Sequence, residues 1–213
     1  MEVGTWNVRT SSENCLPWAR DIQYVSYPDW AGAIQYGEEI TEVSASFIVP
    51  EASKPKHAEE GIAWEVQDND KTVYSAWSEW WPTGSIDYDD FTLKPGDVIF
   101  VRVVANGKTG GTTYIQNEAT GQTASKTFTN EPSLCLTSAE WIVEDDSGFG
   151  PKPFAKFTPV EFIAAEYTQH KKSVSGIKGA TMVDMVQDGY DVADCSIDGD
   201  DGLTCRYTGY GEH

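Results

Sequence analysis

Apolar and polar positions alternate with period two in short runs at residues 31–36, 42–49, 61–67, 73–81, 98–105, 112–117, 123–129, 139–144, 155–165, 180–187 and 204–207. A strand sends successive side chains to opposite faces, so each run predicts a β-strand with one face toward a core. Turn-forming clusters separate the runs: Lys94-Pro-Gly-Asp97, Ala105-Asn-Gly-Lys108, Asn117-Glu-Ala-Thr-Gly121 and Gln187-Asp-Gly-Tyr190. Their glycines, prolines and asparagines suit hairpin connections. Helical periodicity is almost absent. Many short strands with hairpin punctuation predict an all-β fold, an antiparallel β-sandwich or barrel.

Two of the runs combine acidic and aromatic side chains. Ala139-Glu-Trp-Ile-Val-Glu-Asp145, as a strand, puts Glu140, Ile142 and Glu144 on one face and Trp141 and Val143 on the other. Tyr74-Ser-Ala-Trp-Ser-Glu-Trp-Trp-Pro82 puts Trp77, Glu79 and Trp81 on one side. Taken singly, a strand Glu is a solvated surface residue and a Trp packs into a core. Facing each other, the two strips would line a groove fit for an extended polymer.

A chain of 213 residues suits one domain with a sizeable core of its own. Its 15 basic against 34 acidic residues give a formal charge of −19, which excludes nucleic acid and anionic membrane as partners. In acid, protonation of carboxylates relieves this self-repulsion, so the composition is compatible with work at low pH. The sequence holds no apolar run of transmembrane length. Met1-Glu-Val-Gly opens no signal peptide, so the expectation is a secreted protein in mature form with an added Met, or else a cytoplasmic one.

The four cysteines fit two disulfides. Cys195 and Cys205 flank a turn-rich loop, which predicts a hairpin staple and leaves Cys15 to pair with Cys135. No cysteine spacing matches a zinc site, and His57, His170 and His213 are scattered, so no metal is expected. Asp198-Gly-Asp-Asp-Gly202 reads as a hairpin tip rather than a calcium loop. Serine-hydrolase, phosphate-loop and zinc-protease motifs are absent from the sequence.

Six motifs, Asp29-Trp-Ala-Gly-Ala33, Val43-Ser-Ala-Ser-Phe-Ile-Val-Pro50, Ala76-Trp-Ser-Glu-Trp80, Ala139-Glu-Trp-Ile-Val-Glu-Asp145, Pro153-Phe-Ala-Lys-Phe157 and Met182-Val-Asp-Met-Val-Gln-Asp-Gly189, occur in the order found in the glutamic peptidases, or eqolisins. From about Asp29 to about Tyr207 the chain resembles that family. The resemblance divides it into an N-terminal extension, 1–28, and a β-sandwich domain, 29–213. It implies two packed antiparallel sheets of the concanavalin A-like lectin and glucanase type, with a substrate groove on the concave one.

The resemblance also implies a chemistry. The family hydrolyses peptide bonds in acid without metal or organic cofactor, using a Glu as general base and then acid and a Gln amide to hold the oxyanion. Glu144 matches the Glu, with Glu140 as the fallback on the same face. Trp30, Trp77 and Glu79 match groove residues. The interval between Ala63-Trp64 and Trp77 is shorter than in the family and holds no Gln-Thr-Gly motif. Gln67 is the preferred amide, with Asp68 or Asp70 as the nearby acid; Glu65 or outright loss of the amide are the alternatives. Ser75 stands where the family usually has an Asp, and Ser78 where it has an aromatic residue. The expected partner is a protein or peptide substrate, bound by a monomer from which a basic propeptide has been removed. Two rival readings remain: an inactive relative that binds peptide or carbohydrate, and a glycan hydrolase using Glu79 and Glu144 as its carboxylate pair.

Overall fold

The computed structural model describes residues 24–53, 72–145 and 154–209. The run at 61–67, with Glu65 and Gln67, lies outside the described residues, as do Asp68, Asp70 and Cys15. The first strands are β1 (Tyr24–Tyr27), β2 (Trp30–Tyr36), β3 (Ile40–Ile48) and β4 (Ala52–Ser53). They are followed by β5 (Trp77–Trp80), β6 (Gly84–Asp87), β7 (Val98–Ala105), β8 (Gly110–Asn117), β9 (Thr123–Thr129) and β10 (Ser138–Glu144). The last are β11 (Lys156–Phe157), β12 (Val160–Gln169), β13 (Lys172–Ser175), β14 (Thr181–Gln187), β15 (Tyr190–Asp198) and β16 (Gly202–Tyr207).

One ladder runs β10-β2-β14-β15-β16-β12-β3-β7-β8-β9, with β1 added to β14 and β13 to β12; β11 and β4, and β5 and β6, form two-stranded sheets of their own. Strand β14 hands this ladder over: Thr181 to Val183 pair with β2 and Met185 to Gln187 with β15, across a register shift after Met185. The hairpin signals act as expected. Asp188 and Gly189 form the two-residue turn between β14 and β15, with φ of 50° and 83°, the left-handed pair that matches strand twist.

The ladder folds into two layers around a shared core. Trp141 of β10 reaches across, its Nε1 donating to the Ser44 carbonyl of β3 at 3.2 Å and its ring lying edge-on to Tyr167 of β12. Ala31 and Ala33 of β2 join Ala139, Trp141 and Val143 of β10 in the same core as Phe47 of β3 and Phe162 of β12. This is the sandwich that the alternation predicts. The hairpin staple is present too, Cys195 bonded to Cys205 across the β15–β16 register, while Cys135 is bonded to a partner outside the described residues.

Several boundaries differ from expectation, each for a local reason. The run at 155–165 is split between β11 and β12, because Pro159 has no N–H to offer a ladder. Trp81 falls off the end of β5, next to a cis Trp81–Pro82 bond, and is exposed. Strands β1, β4, β6, β13 and β15 were not signalled by apolar alternation. Strand β15 carries Asp191, Asp194 and Asp198, so its pattern reads as loop although its backbone is paired on both sides.

Candidate active site

The site is built on the end of β10. Its alternation is realised as read: Ala139, Trp141 and Val143 point into the main core, and the opposite face presents Glu140, Ile142 and Glu144. The register then sets their neighbours, pairing Glu144 with Trp30, Ile142 with Gly32 and Glu140 with Ile34. Gly32 permits this pairing, because a Cβ built there would lie 2.0 Å from the carbonyl oxygen of Trp141. Only a residue without a side chain lets β2 and β10 approach so closely.

On this second face Trp30, Ile34, Ile142 and Val183 form a small apolar cluster, with Val25, Tyr27 and Tyr36 packed against it. Tyr27 leans on the Trp30 ring at 5.8 Å between centroids. The indole Nε1 of Trp30 donates to Glu144 Oε1 at 2.8 Å. A neutral donor that does not titrate thus fixes the carboxylate at the half-buried end of the strand. One oxygen is oriented by the indole, and the carboxylate stands where base chemistry on a water requires a fixed acceptor.

Glu140 is differently placed. It sits roughly 13 Å from Glu144 by strand rise, is only 7% exposed, and accepts a hydrogen bond from Ser138 Oγ at 2.8 Å. The Tyr36 hydroxyl nearby is pushed up to about 12, by burial first and then by Tyr27 and Glu140. Buried and tied into this polar group, Glu140 is the less accessible of the two carboxylates.

Strand β5 also alternates. Trp77 and Glu79 occupy its half-exposed face, while Ser78 and Trp80 point inward. Trp80 anchors the hairpin, donating from Nε1 to the Pro132 carbonyl at 3.1 Å and packing on Phe128. A cavity of about 60 Å³ lies beside β5, bounded by Trp77, Ser78 and Glu79 with Phe47, Ile99 and Val101. The buried Ser78 Oγ has no hydrogen-bond partner among the described residues.

The structure therefore joins Trp30 to Glu144, and sets Trp77 and Glu79 beside a separate cavity in a two-stranded sheet of their own. Gln67, Glu65 and Asp68 are outside the described residues. Sequence reasoning missed Ser138, Tyr36 and Tyr27 around the carboxylates; their only signal was aromatic or hydroxyl character at strand ends. Among the described residues no cluster of His, Cys, Asp and Glu is arranged to hold a metal ion.

Comparison with known proteins agrees with this geometry. The peptidase A4 family matches residues 57–207. Aspergillopepsin-2 of Aspergillus niger is 34% identical over 84% of this chain and 77% of its own length. Scytalidopepsin B of Scytalidium lignicola is 36% identical over the same shares. A crystal structure of scytalido-glutamic peptidase with a transition state analog inhibitor superposes with a TM-score of 0.71, at 34% identity, over 85% of this chain and 98% of that one. A family match over more than half of the sequence, and relatives this similar along most of it, lead to one conclusion: the chain belongs to the peptidase A4 family.

Proposed function

We propose that this protein is an acid-acting endopeptidase that cuts extended protein segments, with Glu144 as general base and then general acid. The observation that carries the reading is the 2.8 Å hydrogen bond from the Trp30 indole to Glu144. Membership of a peptidase family makes the chain a peptide hydrolase. The assignment of roles is our inference.

In this mechanism Glu144 takes a proton from water as the water oxygen bonds to the scissile carbonyl carbon. The carbonyl becomes an oxyanion, which a side-chain amide stabilises; by the sequence match that amide is Gln67. Glu144 then returns the proton to the amide nitrogen as the C–N bond breaks, which regenerates the carboxylate. A carboxylate is suited to both steps at a pH near its ordinary range. Trp77 and Glu79 act as groove residues that set substrate contacts. The Cys195–Cys205 bridge supports secretion as the setting, since such bonds persist in oxidising compartments.

A second reading, a binding module without catalysis, is favoured by one feature: only twelve residues separate Trp64 from Trp77, with no Gln-Thr-Gly among them. Incubation with denatured casein or haemoglobin from pH 2 to 7, with and without pepstatin, decides between the two. Pepstatin-insensitive cleavage in acid, abolished by Glu144→Gln and by Gln67→Ala, supports the peptidase. A folded protein that cleaves nothing under any of these conditions is the module.

A further inference from the structure

We propose that Gln187, at the end of β14, is a positioning residue that holds Glu144 through the two strand ends flanking it; the claim rests on the peptidase reading above. The side-chain nitrogen of Gln187 donates to the Pro28 carbonyl at 2.8 Å and to Asp145 Oδ2 at 2.8 Å, with the Met185 sulfur at 3.8 Å. Both strong partners are acceptors, so they require the nitrogen there rather than the amide oxygen. A primary amide has two N–H groups, and each finds one of these acceptors.

The partners lie on either side of the candidate catalytic pair. Pro28 precedes Asp29 and Trp30; Asp145 follows Glu144, the last residue of β10. Its backbone N–H donates to the Asp29 carbonyl at 2.8 Å, which continues the pairing of Glu144 with Trp30 by one step. Beyond that step β10 and β2 have no further rungs, and strand ends open at little cost. Gln187 bridges them from a third strand, so the end that carries the carboxylate is closed on two sides.

The role is visible in rate more than in fold. A displacement of about 1 Å at a reacting group costs on the order of 100-fold in turnover, whereas the loss of one hydrogen bond at a half-exposed strand end leaves a core of this size intact.

The test uses the full chain acting on denatured casein in acid. Gln187→Met keeps length and removes both donors; it is expected to lower kcat about 10- to 100-fold while KM stays within about twofold. Asp145→Asn, which keeps an acceptor oxygen, stays within about threefold of the native rate. Asp145→Ala combined with Gln187→Met is no slower than the slower of the two single variants, because both changes remove one contact. The Trp30 indole N–H resonance, identified by its absence in Trp30→Phe, shifts in Gln187→Met as the hydrogen bond to Glu144 loosens. A Gln187→Met protein with native kcat and an unmoved indole resonance overturns the proposal, and so do rate losses that multiply in the double variant. If the unsubstituted protein cleaves nothing while folded, the peptidase reading itself fails and takes this claim with it.

Discussion

Strands β10 and β5 carry the same kind of sequence, acidic and aromatic residues in alternation, and end in different places. In β10 the acidic face is packed against a neighbouring strand: Ile142 is 1% exposed, Glu140 7%, and Glu144 is held by an indole. In β5 the acidic face stays half open, and the hairpin is held instead by Trp80 on its other side. The difference comes from what lies beside each strand. Gly32 lets β2 approach β10 backbone to backbone, whereas β5 has only the short β6 as its partner. A carboxylate that must be aimed belongs on the first kind of strand. A wall that must admit varied side chains belongs on the second.

The comparison breaks most visibly in catalysis. Glu144→Gln is expected to lower kcat at least 1000-fold, on the scale of losing both a base and an acid, while Glu79→Gln changes kcat less than about tenfold and acts mainly on KM. Steady-state kinetics on denatured casein with both variants, checked for folding by circular dichroism, reads the contrast. Equal losses in the two variants would erase the distinction between aimed carboxylate and groove wall.

Next in size is the backbone contact. Gly32→Ala meets the Trp141 carbonyl oxygen and is expected to destabilise by about 1–3 kcal/mol or more through overpacking. Gly84→Ala on the hairpin has no atom within 4 Å of the added Cβ and bears only the strain of a φ of 110°, about 1 kcal/mol. Urea denaturation of the two variants side by side measures the gap.

Acidity sharpens the comparison at the far side of the β10 layer. Burial raises the Asp184 carboxyl above its ordinary value of 3.8, helped by Asp194 and Asp191 and opposed by the Cys195 backbone N–H. A raised acid binds its proton more tightly in the folded state, so its cost is absent below the unfolded value and appears as pH rises through the folded one. Asp184→Asn therefore raises Tm at pH 7 and leaves it nearly unchanged at pH 3, which paired thermal melts test. The smallest effect is at β5: Ser78→Ala removes a buried hydroxyl without a partner among the described residues and is expected to leave stability unchanged or raise it by up to about 1 kcal/mol, read from the same melts.

Much of this architecture was legible in the order of side chains. Period two located β2, β3, β7, β8, β9, β10 and β14 because each buries an apolar stripe, and the stripe is what a sequence displays. Strands β6, β13 and β15 lack a continuous one. Their pairing is made by backbone groups that every residue carries, so Asp191, Asp194 and Asp198 disguised a strand paired on both edges. At the site, alternation separated Glu144 from Trp141 correctly. It did not yield the Trp30–Glu144 contact, which depends on register between strands more than a hundred positions apart; only the family resemblance placed both in one groove. Gln187 was hidden for a related reason. An amide at a strand end looks like solvent-facing surface until the backbones around it supply two acceptors.

The handover at β14 has a consequence for a protein that cuts extended chains, since its own strands are potential substrate. A protease cleft engages a segment only after that segment has been drawn away from its neighbours. Because β14 is bound to β2 at one end, to β15 at the other and to β1 along its edge, none of these strands peels off without tearing the others' rungs, and the ladder that carries the carboxylate is thereby guarded against digestion by sister molecules.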